Sequence, residues 1–209
     1  MDQNIDYKIN KLVNSVNIKK SKLSCLRLGS SIKLGTFKMS LLIQQAKSLA
    51  IQLHAEQTDK AGKPYAHHLK AVTDALIGNS DEVIITGWLH DSVEDTGITL
   101  DEISSLFGES VAKAVDAITK RKGESYSEYL NRVKANSIAR LVKIADLSHN
   151  MDLSRLPVVT EKDLARREKY INAKEFLENA SIHTRSLTKA EIESLRQSKR
   201  DAYYQMMKL

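Results

Sequence analysis

Apolar residues recur at helical spacing through most of the chain, and few residues that break helices interrupt them. The pattern is clear from Met39 onward, where it predicts a first amphipathic helix over residues 40–56 from Leu42, Ala46, Leu49, Ala50 and Leu53. Only 8 glycines and 2 prolines occur in 209 residues, and no segment has the alternating pattern of a half-buried strand. The sequence therefore predicts an all-α fold.

The same periodicity and the capping signals predict the helices that follow. Thr99 with Glu102 and Thr160 with Asp163 are typical of helix starts, because each hydroxyl can accept from a free N–H three residues later. The predicted helices cover approximately residues 65–77, 81–95, 99–107, 110–120, 126–136, 137–152 and 160–179, with a last one from Thr188. Together they predict a helical bundle that forms a single domain.

Charge is distributed unevenly along the chain. The chain has 32 Lys and Arg against 26 Asp and Glu, a net charge of +6. Residues 1–38 hold eight of the basic and two of the acidic residues, so the rest is neutral overall. We therefore expect a poorly ordered basic N-terminal extension over 1–38, a domain over 39–180, and a helical C-terminal extension over 181–209 that packs on it. The neutral domain argues against nucleic-acid binding, although the extension itself could contact nucleic acid or a membrane surface.

The single cysteine and the absence of long apolar runs limit the setting of the protein. One cysteine cannot form an internal disulfide, and no run approaches the roughly 18 apolar residues that a membrane span needs. No secretory segment is expected at the start of the chain. The sequence therefore predicts a cytoplasmic protein without a membrane partner, and mixed charge on the exposed helix faces leaves the oligomeric state open.

Ionisable residues interrupt the apolar face of two predicted helices. His90 and Asp91 lie near the end of the helix over 81–95, and Glu94 and Asp95 follow them one turn later. Asp146 lies in an apolar stretch, where an unpaired carboxylate is costly to bury.

His68 adds a second imidazole near the start of the preceding helix. Two imidazoles and two carboxylates suit a borderline divalent ion such as manganese, iron or cobalt. A solvated helix end would also tolerate these residues, so a structural role for each of them remains open on the pattern alone.

Several ordered motifs resemble one known family. The order His68, His90-Asp91, Asp146 is that of the HD-domain metal-dependent phosphohydrolases. Three segments resemble the hydrolase domain of RelA/SpoT proteins more closely: GKPYAHH at 62–68, LHDSVEDT at 89–96 and KIADLSHN at 143–150. Phe107-Gly108 and Thr119-Lys120 are similar to the stretch between them. The resemblance extends over about residues 40–180.

The resemblance implies a stand-alone hydrolase that removes pyrophosphate from the 3′ position of the alarmones ppGpp and pppGpp, usually with manganese. It implies that a small nucleotide is the partner, and that hydrolysis is the only activity, because the residues after 180 are too few for a synthetase domain. The implied metal ligands are His68, His90, Asp91 and Asp146, and the implied catalytic residues that act on water are Glu94 and Asp95. The implied substrate-binding residues are Lys60, Lys143, Asn150 and Arg155, of which Arg155 could instead pair with Asp152.

Three positions depart from the pattern of that family. Asp59 precedes Lys60 where the family has a basic pair, Leu147 follows the metal-binding aspartate where an arginine is usual, and Leu153 replaces a small hydroxyl residue. An aspartate cannot stack on a purine as an arginine does, so the preferred base stays open. The alternatives are a nucleoside monophosphate phosphatase with the same domain and a non-catalytic nucleotide sensor.

Overall fold

The computed structural model describes residues 31–179 as a bundle of α-helices. The elements in chain order are α1 Ser31–Leu53, α2 Ala66–Asp74, α3 Asp81–Leu89, α4 Ser92–Asp95, α5 Leu100–Phe107, α6 Glu109–Ile118, α7 Tyr126–Ala135, α8 Ser137–Asn150, a 3₁₀ turn Leu153–Arg155, and α9 Glu161–Glu178. Within these residues no strand forms, and one isolated antiparallel bridge joins Thr58 to Pro64. The all-α prediction is confirmed. The predicted extension over 181–209, its helix from Thr188, and residues 1–30 lie outside the described residues.

Helix α1 begins earlier than the periodicity predicted. It starts at Ser31 rather than near residue 40, and it continues through Gly35. One glycine inside a helix costs about 1 kcal/mol relative to alanine, and a helix of 23 residues tolerates that cost. The helix therefore begins before this glycine rather than after it.

Side-chain caps fix the starts of the later helices. The predicted capping box at α5 is present, since Thr99 Oγ1 accepts from Glu102 N at 3.3 Å and Thr99 N donates to Glu102 Oε2 at 2.8 Å. Thr160 and Asp163 form the same reciprocal pair at α9. At α8 the side chain of Asn136 accepts from Ile138 N and Ala139 N. Each cap satisfies backbone N–H groups that a helix start leaves free.

Helix α3 lies at the centre of the bundle. It contacts α1, α2, α6 and α8, and it is apolar on nearly every side, as expected of a helix surrounded by others. A first core joins α3 to α1, α2, α5 and α6, and its larger side chains include Leu49, Leu69, Ile85, Trp88, Leu89, Ile103 and Phe107. A second core joins α6, α7, α8 and α9 to residues at the end of α2 and the start of α3, and its larger side chains include Leu76, Ile118, Tyr129, Val142, Leu147 and Leu177. Helices α2, α3 and α6 contribute to both cores.

A glycine allows α2 and α3 to approach each other closely. A Cβ atom at Gly87 would lie 2.8 Å from Leu76 Cδ1 and 3.2 Å from Thr73 Oγ1. Both distances are shorter than ordinary van der Waals contact, so a side chain there would force the two helices apart.

No helix within residues 31–179 is long and apolar enough to cross a membrane.

We expect Gly87→Val to reduce the free energy of unfolding by about 1–3 kcal/mol or more, because the new side chain overpacks the contact between α2 and α3. Thr86→Val is the matched control on the same helix. The Thr86 hydroxyl is buried and has no hydrogen-bond partner among the described residues, so its removal should be neutral or stabilising. Urea denaturation measures both, and equal stability of the two variants would contradict the close-packing argument.

Candidate metal centre

Three buried side chains from three helices meet beside the central helix. They are His68 from α2, His90 at the end of α3 and Asp146 from α8, and one potential ligand atom of each lies within 4.8 Å of the others. His68 Nε2 is 3.3 Å from Asp146 Oδ1, and His90 Nε2 is 3.9 Å from the same oxygen. The structure therefore brings together residues that are up to 78 positions apart in the sequence.

Asp91 joins this group at a break in the helix. The sequence predicted one helix through residue 95, but α3 ends at Leu89 and α4 begins at Ser92. His90 and Asp91 lie at the break and keep αR backbone angles. Asp91 Oδ2 lies 2.9 Å from His90 Nε2 and 3.6 Å from His68 Nε2.

The hydrogen bonds of His90 leave one ring nitrogen without a partner. Its Nδ1 lies 2.8 Å from the carbonyl oxygen of Gly87, which can only accept, so Nδ1 carries the proton. Nε2 is the ring nitrogen that remains to face the carboxylates, and although burial lowers the pKa of the ring, Asp91 and Asp146 raise it. Nε2 is buried and has no hydrogen-bond partner among the described residues, although Asp91 Oδ2 is close to it. A cation that displaces the proton from such a nitrogen would bind between it and the carboxylate oxygens.

Further polar groups orient the carboxylates and the imidazole. Tyr65 Oη donates to Asp91 Oδ2 at 2.6 Å. Asp146 accepts from Asn150 Nδ2 at 2.6 Å and from Lys143 Nζ at 2.8 Å, through different oxygens. His68 Nδ1 is 2.8 Å from a ring nitrogen of His149. Such outer contacts fix the direction of metal ligands in proteins, and the donor set as a whole fits a divalent metal ion.

Electrostatics keep the two carboxylates ionised in spite of their surroundings. Burial raises the pKa of Asp146, but the charge of Lys143 and the contact with His68 outweigh burial and hold it well below its usual range. Burial also raises the pKa of Asp91, and His90 and His68 outweigh it in the same way. Burial lowers the pKa of His68, but hydrogen bonds to Asp146 and Asp91 raise it to about 9. The centre therefore holds two ionised carboxylates, of which Asp146 is buried and Asp91 is partly exposed.

The two acids predicted to act on water lie on the short helix α4. Glu94 is exposed, and its Oε2 accepts from the backbone N of Lys120 at 2.9 Å. The backbone carbonyl of Asp95 accepts from Gln57 Nε2 at 3.0 Å. Burial, followed by the charges of Asp91 and Glu94, raises the pKa of Asp95 to about 6. Asp95 is therefore close enough to the centre for Asp91 to affect its ionisation.

The four residues predicted to bind substrate divide into two pairs. Lys143 and Asn150 both contact Asp146 and lie at the centre. Arg155 lies farther out, where its NH1 is 2.5 Å from His149 Nδ1 and its NH2 is 3.9 Å from Asp59 Oδ2. Lys60 is exposed. Partial loss of solvent around its amine, together with the charges of Arg166 and Arg155, lowers its pKa.

Asp59 has a structural role in the loop before α2. Its Oδ1 accepts from the backbone N of Ala61 and of Lys63, both at 2.9 Å, and only 7% of its side chain is exposed. The carboxylate therefore stabilises the turn that ends at Tyr65. The alternative pairing of Arg155 with Asp152 is not found among the ion pairs of the described residues, and Arg155 approaches Asp59 instead.

Two residues at the centre received no role in the sequence analysis. Tyr65 and His149 lie inside the motifs at 62–68 and 143–150, next to predicted ligands. Their positions in those motifs were the only available signal. Sequence pattern alone does not distinguish a tyrosine or histidine that orients a nearby ligand from one that packs in the core.

Comparison with known proteins finds a family match that includes His68, His90 and Asp91 and ends one residue before Asp146. Residues 46–145 match the model of the HD domain family. The chain is 36% identical over 146 residues to a probable guanosine-3′,5′-bis(diphosphate) 3′-pyrophosphohydrolase of Synechocystis sp., which covers 63% of this chain and 19% of that protein. It is 38% identical over 117 residues to the guanosine-3′,5′-bis(diphosphate) 3′-pyrophosphohydrolase of Aquifex aeolicus, over 53% of this chain and 17% of that protein. The chain thus spans about a fifth of the length of these relatives.

A solved structure shares the fold of most of this chain. It is that of a metazoan ortholog of SpoT, described as hydrolysing ppGpp and as having a role in starvation responses. The two chains have 25% sequence identity and a TM-score of 0.56, and the match covers 75% of this chain and 95% of the other.

We expect a divalent cation to stabilise the protein through the buried centre. At a free concentration about 100 times its Kd, an ion that binds only the folded state adds about 2.7 kcal/mol, or about 5–10 °C in Tm for a chain of this size. Thermal unfolding with Mn²⁺, Co²⁺ and Mg²⁺ measures the shift, which His90→Asn should abolish. His67→Asn is the control, because His67 is exposed beside the ligand His68, and loss of the shift in that variant would contradict the assignment.

Proposed function

We propose that this chain, whose residues 46–145 match the model of the HD domain family, is a metal-dependent hydrolase that removes pyrophosphate from the 3′ position of ppGpp and pppGpp. The buried cluster of His68, His90 and Asp146 is the main support, and its two histidines lie inside the segment that matches the HD domain family. The names of the two bacterial relatives and of the metazoan protein point to the alarmone as substrate.

The proposed metal ligands are His68, His90, Asp91 and Asp146, and the proposed ion is Mn²⁺. Two imidazoles and two carboxylates suit a borderline ion better than magnesium, which prefers oxygen ligands alone. When bound, such an ion makes a coordinated water more acidic and polarises a phosphate oxygen. Lys143 and Asn150 hold the carboxylate of Asp146 in place.

Asp95 and Glu94 are the proposed catalytic residues. Asp95 has a pKa raised to about 6 by burial and by Asp91 and Glu94, which is suitable for a base that works near neutral pH. It would accept a proton from the attacking water while the water oxygen bonds to the phosphorus and the bond from phosphorus to the 3′ oxygen breaks. The oxygen of Glu94 that does not contact Lys120 N would orient the same water.

Lys60, Lys143, Asn150 and Arg155 are the proposed contacts to the nucleotide. Lys143 and Asn150 would reach it from beside Asp146, and Arg155 from beside His149. Arg155 Nε is buried and has no hydrogen-bond partner among the described residues, which leaves it a donor for a phosphate oxygen. The proposed partner is a small nucleotide rather than a nucleic acid, and the proposed setting is the cytoplasm.

We expect the manganese-loaded protein to release pyrophosphate from ppGpp. Asp95→Asn should lower kcat about 10²–10⁴-fold, since that is the usual contribution of a general base. Asp101→Asn is the matched control, because Asp101 is an exposed acid in the first turn of α5. Release of pyrophosphate and of phosphate from ppGpp, ppApp and nucleoside monophosphates is measured side by side.

The outcomes separate the proposal from its alternatives. Phosphate released from monophosphates alone would replace the alarmone proposal with a nucleotidase. Metal and nucleotide binding without turnover of any of these substrates would indicate a sensor. Activity that survives Asp95→Asn undiminished would refute the role of Asp95 as base.

A further inference from the structure

We propose that His54 and Gln57 form a clasp that positions helix α4 and thereby Asp95. The two residues follow the end of α1, far from α4 in sequence. Neither is assigned a role in the reaction above. The inference deepens the proposed function, because the importance of the clasp for catalysis depends on the role of Asp95.

Helix α4 needs support from outside itself. It has four residues, Ser92 to Asp95, and a helix of that length is not stable in isolation because nucleation is unfavourable. Its own backbone hydrogen bonds are few, from Asp95 N to Asp91 O at 2.9 Å and from Thr96 N to Ser92 O at 3.1 Å. The orientation of Asp95 therefore depends on what holds both ends of α4.

The clasp contacts both ends of that helix. At the end of α4, Gln57 Nε2 donates to the backbone carbonyl of Asp95 at 3.0 Å. At its start, Ser92 Oγ lies 3.5 Å from His54 Nε2. His54 and Gln57 are joined to each other, since His54 Nδ1 is 2.7 Å from Gln57 Oε1.

The direction of each hydrogen bond follows from the chemistry of the groups. A backbone carbonyl can only accept, so the Gln57 amide must present its nitrogen to Asp95 and its oxygen to His54. His54 Nδ1 then carries the proton, and Nε2 is the acceptor for the Ser92 hydroxyl. Burial lowers the pKa of His54, which favours the neutral ring that this arrangement requires.

The clasp also supports the neighbouring part of the centre. The rings of His54 and Tyr65 stack, with centroids 5.0 Å apart and planes inclined by 20°. Tyr65 N donates to the backbone carbonyl of Gln57 at 2.9 Å, and Tyr65 Oη donates to Asp91. His54 and Gln57 thus hold the loop before α2 against α4. They are positioning residues, because the contacts described here link them to α4 and to Tyr65.

The test compares Gln57→Met with the matched control Gln52→Met. Gln52 is an exposed residue of α1, so its replacement makes the same chemical change away from the clasp. Amide hydrogen exchange at Asp95 and Thr96 should become about tenfold faster in Gln57→Met, since loss of one hydrogen bond changes a local opening equilibrium by about that factor. This measurement requires no turnover.

Kinetics then determine whether the positioning matters for the reaction. In Gln57→Met, kcat for ppGpp should fall about tenfold or more while KM and the Kd for Mn²⁺ stay within twofold of the control. In the Asp95→Asn background the same change should have little further effect on kcat, because residues that act as a unit are non-additive. Gln57→Glu, which retains the acceptor for His54 but removes the donor to Asp95, should behave like Gln57→Met.

Two outcomes would overturn the inference. Unchanged amide exchange in α4 would show that Gln57 does not hold the helix. Faster exchange with unchanged kcat in an active enzyme would show that the clasp does not position Asp95. Failure of the wild-type protein to hydrolyse ppGpp would refute the proposed function instead, and the exchange experiment would still determine whether the clasp holds α4.

Discussion

The buried carboxylate of Asp146 is the constraint on which the rest of the structure depends. It lies between Ala145 and Leu147 on α8, and 4% of the residue is exposed. An isolated charge in such surroundings would be very unfavourable. Lys143, Asn150 and His68 surround it, and they come from the same helix and from α2. Compensation of this charge therefore requires α2 to lie where His68 can contact Asp146 on α8.

The His90-Asp91 pair between α3 and α4 is the second condition for the centre. Asp91 Oδ2 lies within 3.6 Å of the Nε2 atoms of both His68 and His90. The short helix α4, which carries the two acids, begins directly after this pair. The carbonyl oxygen of Gly87 contacts His90 Nδ1 and so sets the orientation of the imidazole ring. Because Gly87 has no side chain, α3 can lie close to α2.

The sequence predicted most of the helices but not the break between two of them. Periodicity and capping residues such as Thr99 and Thr160 report local energetics, and they located the starts of α5 and α9 well. The contacts of His90 with Asp91 and Asp146 at the break join residues that no local pattern relates. Motif order named the four candidate ligands, whereas the contacts of Tyr65, His149 and Gln57 with the centre depend on how loops and helices meet in the folded chain.

The two hydrophobic cores share the metal centre at their boundary. His90 follows a helix that packs mainly in the first core, Asp146 belongs to a helix of the second, and His68 lies on α2, which contributes to both as α3 and α6 also do. An ion bound by all three would add a further link between the two cores to the packing and the polar contacts that already join them. Opening of either half would then require release of the ion, so occupancy of the site would govern the cooperativity of unfolding as well as the chemistry.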